Sequence, residues 1–116
     1  MNELENCRLN PKYKLDADKW YTDIVSYMEW CESLASMVNN KVLSLNKIDD
    51  MLSYRFFIIV NNKTIQKKEL IPNKEFYRGV YKIYDKWYKY KIKQNLEVIL
   101  EKNDLSKTPG YYDIIK

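Results

Sequence analysis

The residue types that most often carry catalysis are scarce in this sequence. Histidine, the commonest general base and metal ligand near neutral pH, does not occur. Cys7 and Cys31 are too few for a four-thiolate zinc site, and no glycine-rich phosphate-binding motif is present. Asp49-Asp50 and the pair Glu29 and Glu32 are the remaining carboxylate candidates, but exposed helix acids explain such pairs more often. We therefore expect a protein that is not an enzyme and that needs no cofactor and no metal.

A row of positive side chains in the segment 76–100 is the most distinctive binding feature. At about 100° per residue of a helix these side chains fall on one side, and a row of tyrosines lies next to them. Such a face could follow a phosphate backbone and offer rings for stacking, could meet an acidic protein surface, or could simply be solvated. The candidate binding residues are Arg78, Lys82, Lys86, Lys89 and Lys93, with Tyr77, Tyr81, Tyr84 and Tyr88 beside them.

The net charge of +4 comes almost entirely from lysine. Only Arg8, Arg55 and Arg78 are arginines, although arginine is the usual residue for bidentate phosphate and base recognition. A chain rich in lysine, asparagine, tyrosine and isoleucine more simply indicates an AT-rich genome. The sequence does not separate a protein from a nucleic acid as the target of the basic face.

Composition also sets the fold class. A chain of 116 residues, 46% hydrophobic and 31% charged, suits one domain with its own core. Two glycines and three prolines are too few for the many tight turns of a β-sandwich or barrel. We predict an all-α fold, a single helical bundle of three to four helices over residues 1–116. An N-terminal arm (1–15) is predicted to be extended, and a C-terminal tail (104–116) to cover the bundle.

Three helices are expected in the bundle. The first begins at a cap, Asp16 or Asp18, and ends at Asn39-Asn40. The second begins at a capping box of Asn46 with Asp49 and runs to Pro72, the alternative being an α+β fold with a hairpin around 54–66. The first helix packs through a stripe made of Trp20, Ile24, Tyr27, Cys31, Leu34 and Val38.

The third helix is predicted to start after a cap at Asn73. After Tyr90 its apolar positions move to a second face with Ile92, Leu96, Ile99 and Leu100, so that the helix either breaks near Lys91 to Asn95 or packs its second half on a different partner. Gly79 lies near its start, where a missing side chain could allow close approach of another backbone. Its core face is predicted to consist of Phe76, Val80, Ile83, Trp87 and Tyr90.

No address or anchor is visible. The N-terminus lacks the apolar core of a signal peptide, and the longest apolar run, Phe56 to Val60, is far shorter than the ~20 residues that span a membrane. We expect a cytoplasmic protein, of a bacterial cell or of the host cell of a virus, with free cysteines and no membrane insertion.

Three stretches share the rhythm of a known family: YMEWCESLASMV, NKIDDML and FYRGVYKIYDKW. Through them the run from Met28 to Trp87, about half of the chain, resembles a family of bacterial helical domains of unknown function that often follow transmembrane helices. The resemblance implies a helical bundle with an adaptor-like role and brings no catalytic residues. In size, charge and lack of histidine the chain is also similar to small phage-encoded inhibitors of host machinery.

The favoured function at this stage is a non-catalytic protein-binding module, for example an inhibitor or regulator of a host defence machine encoded by a phage or mobile element. The alternatives are a nucleic-acid-binding protein that uses the basic helix face, and an immunity protein that sequesters a toxin. The patterns do not predict an oligomeric state.

Overall fold

The computed structural model describes residues 2–10, 12–98 and 103–116, and within these ranges the fold is all-α with no strand. The predicted helical bundle is confirmed, and the alternative hairpin around 54–66 is wrong because this region is helical to Val60. The elements are α1 (Asn2–Leu9), α2 (Tyr21–Asn39), α3 (Leu45–Val60), α4 (Lys63–Ile65) with a π-helical turn (Gln66–Leu70), α5 (Arg78–Lys93), a 3₁₀ turn (Leu105–Lys107) and α6 (Tyr111–Ile114).

The sequence predicts an extended N-terminal arm, but this prediction is wrong because residues Asn2–Leu9 form helix α1. Leu4 is buried against the rest of the fold. Tyr54 of α3 donates its hydroxyl proton to Glu5 at 2.7 Å. Because one apolar side chain and one hydrogen bond tie α1 to α3, the first residues are part of the bundle.

The predicted cap of α2 is wrong, because the helix begins at Tyr21 after Trp20 and has no side-chain cap hydrogen bond. Asp16 Oδ1 accepts the backbone N–H groups of Asp18 and Lys19 at 3.0 and 3.2 Å, and the turn that follows leads into Tyr21. The helix ends at Asn39, as expected. Its buried residues are Ile24, Met28, Cys31, Leu34 and Ala35. The other three members of the predicted stripe, Trp20, Tyr27 and Val38, are half-buried.

The capping box proposed for α3 is wrong. The helix follows Ser44, so Asn46 lies inside its first turn, and Asp49 is buried. The helix also stops earlier than expected, at Val60. Asn62 then caps the next short helix by accepting the backbone N–H of Ile65 at 3.1 Å.

The long helix α5 starts four residues later than predicted, at Arg78. Asn73 does not cap it, since its side-chain amide donates to the carbonyl of Glu69 instead. Phe76 consequently lies in the turn before the helix and is 68% exposed, so it does not belong to the core face. The predicted break is confirmed: α5 ends at Lys93, and Asn95 follows in the left-handed region at φ 56°. Ile99 and Leu100, expected on a second apolar face, lie outside the described residues.

The core lies between α2, α3, α5 and the C-terminal segment. Trp87 is fully buried and stacks on Phe56 with ring centroids 5.0 Å apart. In the tail, Tyr111 and Ile114 are buried, whereas Tyr112 is 69% exposed. The predicted covering role of the tail is therefore confirmed. None of the described helices is both long enough and apolar enough to cross a membrane.

Candidate binding surface

Four lysines of α5 point to solvent on one side of the helix, as the sequence predicts: Lys82, Lys86, Lys89 and Lys93. They share this side with Gly79, since all five positions fall within about 80° of one another at ~100° per residue. Lys89 Nζ forms an ion pair with Asp85 Oδ2 at 2.9 Å. Lys82 and Lys93 make no hydrogen bond or ion pair with any residue that the structure describes. These four lysines form the lysine face of α5.

Arg78 contributes less to this face than its charge suggests. Its guanidinium pairs with Glu75 and donates to the backbone carbonyl of Ile114 at 3.3 Å. The side chain is half-buried and ties the start of α5 to α6. Arg78 is thus largely committed to internal contacts.

The predicted tyrosine row lies inside the fold. Tyr77, Tyr81 and Tyr84 are buried and Tyr88 is half-buried. Tyr81 donates to the carbonyl of Leu70 at 3.0 Å, and burial raises its pKa to about 12. Tyr84 donates to Asp104 at 2.6 Å, and burial, then this carboxylate, raises its pKa well above the usual value. Three of the four rings expected beside the lysines are therefore not available for stacking, and Tyr88 is only partly exposed.

A small hollow opens between α2 and α5, at the start of the lysine face. Its volume is about 200 Å³. Phe76 forms one wall, and Ala35, Gly79 and Val80 line it from the two helices. Sequence reasoning missed this feature because it assigned Phe76 to the core. A larger groove of about 570 Å³, between residues 71–76 and α6, lies on the other side of the same ring.

Asn39, the last residue of α2, joins the hollow to the lysine face. Its side-chain amide donates to the carbonyl of Gly79 at 3.2 Å and accepts from Lys86 Nζ at 3.3 Å. A Cβ atom added to Gly79 would lie 3.5 Å from Asn39 Nδ2 and 3.8 Å from Ala35 Cβ. The predicted close approach of another backbone at Gly79 is not observed, because both of these atoms belong to side chains and lie at ordinary contact distance. Because Asn39 also lines the hollow, the two features form one continuous surface.

Of the two carboxylate pairs considered from the sequence, the one on α2 borders this surface. Glu29 is exposed, whereas Glu32 is half-buried at the edge of the hollow. Burial, and then the negative charge of Glu29, raises the pKa of Glu32. The hollow therefore has an acidic end at Glu32 and a basic end at Lys86.

The other pair is divided between surface and core, and it reveals a feature that sequence reasoning missed. Asp50 is exposed, but Asp49 is buried and lies 3.0 Å from the buried Lys91 Nζ. Asp49 also accepts the indole N–H of Trp87 at 2.7 Å. The signal was present in the spacing, because Lys91 follows Trp87 by four residues and so shares its core-facing side. With its charge paired and closed from solvent, this group is part of the packing.

Both cysteines are free, and Cys31 is a core residue as predicted. Burial is the main cause that raises the thiol pKa of both Cys7 and Cys31. Since the thiolate is the reactive form, neither is suited to nucleophilic chemistry. Among the described residues no cluster of three or more acidic, cysteine or histidine side chains could hold a metal ion.

Comparison of the chain with protein-family models, with curated proteins and with solved structures found no match. Four outward lysines bordered by an exposed aromatic ring and a hollow can bind an anionic partner; they hold no arrangement of nucleophile, base and oxyanion donors.

Proposed function

We propose that this chain is a non-catalytic protein-binding module that meets an acidic surface of its partner with the lysine face of α5. A regulator or inhibitor that works by occupying such a surface would need no other chemistry. One observation carries the proposal. Among the described residues, the side chains of Lys82 and Lys93 have no anionic partner, and Lys86 is held only by the neutral side-chain amide of Asn39.

The environment of the lysines supports a protein partner better than a nucleic acid. Nucleic-acid binding by such a face gains strength from stacked rings and from arginine. Tyr81 and Tyr84 are buried, and Arg78 is engaged with Glu75 and Ile114. What remains at the lysine face is positive charge beside a hollow that Phe76, Ala35 and Val80 line in part. Charged groups around a partly apolar centre are common in protein interfaces.

The test compares two variants with the same change of net charge. The first reverses the lysine face with Lys82→Glu, Lys86→Glu, Lys89→Glu and Lys93→Glu. The control reverses four exposed lysines elsewhere, Lys12, Lys14, Lys67 and Lys68. Both variants should remain folded, because exposed substitutions usually change stability by no more than about 0.5 kcal/mol each. Circular dichroism checks this before binding is measured.

Binding is measured by titration calorimetry with polyglutamate, short duplex DNA and short single-stranded RNA over a salt series. The proposal expects the wild type and the control to bind polyglutamate at low salt, and the lysine-face variant to lose this binding. Stronger binding to DNA or RNA than to polyglutamate, with a steep salt dependence that only the lysine-face variant loses, would instead identify a nucleic-acid-binding protein. Equal losses in both variants, or no binding to any probe, would overturn a specific role for the lysine face.

A further inference from the structure

Phe76 is a large aromatic side chain left exposed at the edge of a concave site. Its ring contacts the neighbouring Tyr77 edge-to-face, with centroids 5.0 Å apart, and the side chain is otherwise open to solvent. Binding energy in protein interfaces concentrates where aromatic side chains border pockets that become desolvated. The position of Phe76 therefore gives the lysine face an apolar end.

The hollow beside Phe76 is suited to a single apolar side chain. Ala35 and Val80, which are buried, line it together with Phe76, whereas Glu32, Ser36 and Asn39 provide its polar lining. Gly79 keeps it open, because a Cβ atom there would reach ordinary contact distance of Ala35 and Asn39. The volume of about 200 Å³ leaves space for one large side chain.

The charges around the hollow determine which side chain of a partner can enter it and which groups of the partner can lie along the lysine face. Glu32 at one edge disfavours an acidic side chain in the hollow, and its raised pKa reflects burial there. At the other edge Asn39 holds Lys86, and the lysine face continues along α5. At 1.5 Å per residue, the distance from Lys82 to Lys93 along the helix is ~16 Å. A complementary chain therefore has an uncharged apolar group at one end and several acidic groups after it.

We propose that the partner presents one contiguous acidic segment, and that an uncharged apolar side chain at its end seats in the hollow beside Phe76 while its carboxylates lie along the lysine face. The inference rests on the proposed function, since it specifies the partner of the same surface. It adds an anchoring site that charge alone does not provide.

Two families of synthetic peptides test it. The first is an oligoglutamate. The second carries a phenylalanine at one end of the same oligoglutamate, joined through glycine spacers of increasing length. Affinities are measured by fluorescence anisotropy with labelled peptides at low salt. At one or more spacer lengths the anchored peptide should bind the wild type at least about tenfold more tightly, because the second contact becomes intramolecular.

Substitutions of exposed residues show whether the added affinity of the phenylalanine-containing peptide comes from the hollow. Ser36 is exposed and lines the hollow, so Ser36→Trp should cover it, and Phe76→Ala should remove its wall. Both should reduce the anchored peptide to the affinity of the plain oligoglutamate, which itself should bind unchanged. Ser26→Trp, at another exposed position of α2, is the matched control and should keep the gain.

The outcomes separate the two proposals. If the oligoglutamate binds and the anchored peptide is no tighter at any spacer length, the anchoring site is wrong and the lysine face stands. If the gain persists in both Ser36→Trp and Phe76→Ala, the anchor seats elsewhere and the inference is equally wrong. If neither peptide binds the wild type, the proposed function fails together with the inference.

Discussion

Lys91 Nζ lies 3.0 Å from Asp49 Oδ1, and both side chains are buried between α3 and α5. The same carboxylate oxygen accepts the indole N–H of Trp87. Two charges removed from water are costly, but here each has its counter-ion and the carboxylate has a second donor. The arrangement fixes how α3 and α5 face each other, since neither side chain can move without leaving a buried charge unpaired.

Breaking this pair should destabilise the protein strongly. Lys91→Met leaves Asp49 uncompensated, and Asp49→Asn leaves Lys91 uncompensated, each at a cost of about 3–5 kcal/mol. The double variant leaves no buried charge and should recover most of the loss, while the asparagine still accepts from Trp87. Urea unfolding of the wild type, the two single variants and the double variant measures the free energy of unfolding for this double-mutant cycle. The exposed Lys89→Met, which breaks the pair with Asp85, should cost less than about 1 kcal/mol. Additive losses in the double variant would contradict the coupling.

Truncation of Trp87 should destabilise the protein far more than truncation of Phe76, although their spacing predicts that both lie on one core face of the helix. Trp87→Ala removes a fully buried ring that stacks on Phe56 and should cost about 3–5 kcal/mol. Phe76→Ala removes a ring that is 68% exposed and should change stability by no more than about 0.5 kcal/mol. Thermal unfolding followed by circular dichroism compares them, and equal losses would place Phe76 back in the core.

The two glycines should differ in sign when replaced by alanine. Gly79 lies inside α5 and a Cβ atom there meets only ordinary contacts, so Gly79→Ala should stabilise by up to about 1 kcal/mol. Gly110 has φ 79°, and its Cβ atom would lie 2.7 Å from Lys74 Cε. Gly110→Ala should therefore destabilise, by about 1–2 kcal/mol for the backbone alone. Urea midpoints of the two variants decide the matter, and a loss at Gly79 would show that α2 and α5 pack more tightly there.

Alkaline pH should unfold the protein through its buried tyrosines. An unfolded tyrosine ionises near pH 10, whereas the pKa of Tyr81 is raised by burial to about 12 and those of Tyr77, Tyr84 and Tyr111 are raised further by burial and nearby carboxylates. Because the folded state holds these protons more tightly, their stabilisation is complete below about pH 10 and is lost as pH rises through the folded pKa values. Urea midpoints measured from about pH 8 to about pH 12 test this.

Two phenylalanine variants provide the control for the alkaline loss. Tyr81→Phe removes one buried ionisable group and should make the decline shallower. Tyr112→Phe changes an exposed ring and should leave the decline as in the wild type. An identical slope in all three proteins would show that Tyr81 does not contribute.

The helical class and the break after α5 could be predicted because both depend on local spacing. The start of α5 could not, since a helical projection does not show where the helix begins, and Phe76 falls two residues before Arg78. The tyrosine row was misplaced for another reason. Tyr84 is buried by a tail that meets it through Asp104, twenty residues further along the chain, and a local pattern does not contain that contact.

The candidate surface was predictable only in part. The outward lysines follow from periodicity, because hydrated charges seldom find room inside a core. Lys91 breaks this rule, since a distant Asp49 compensates its charge. The hollow depends on where α2 crosses α5 near Gly79. That crossing is fixed by packing over the whole bundle.

Asn61, the C-cap residue of α3, has contacts that bear on the order in which the chain folds. Its side-chain oxygen accepts from the backbone N–H of Leu105 at 2.9 Å and lies 3.1 Å from the Tyr84 hydroxyl oxygen, whose proton is donated to Asp104. Leu105 and Tyr84 are 44 and 23 residues away from Asn61 along the chain. Contacts that close long loops form late, after local helices have reduced the entropy to be lost. Leu105 and the segment around it are therefore needed to close a core whose helices are already present. Pulse-labelled hydrogen exchange should show the Leu105 amide protected after those of α3 and α5; simultaneous protection would contradict this order.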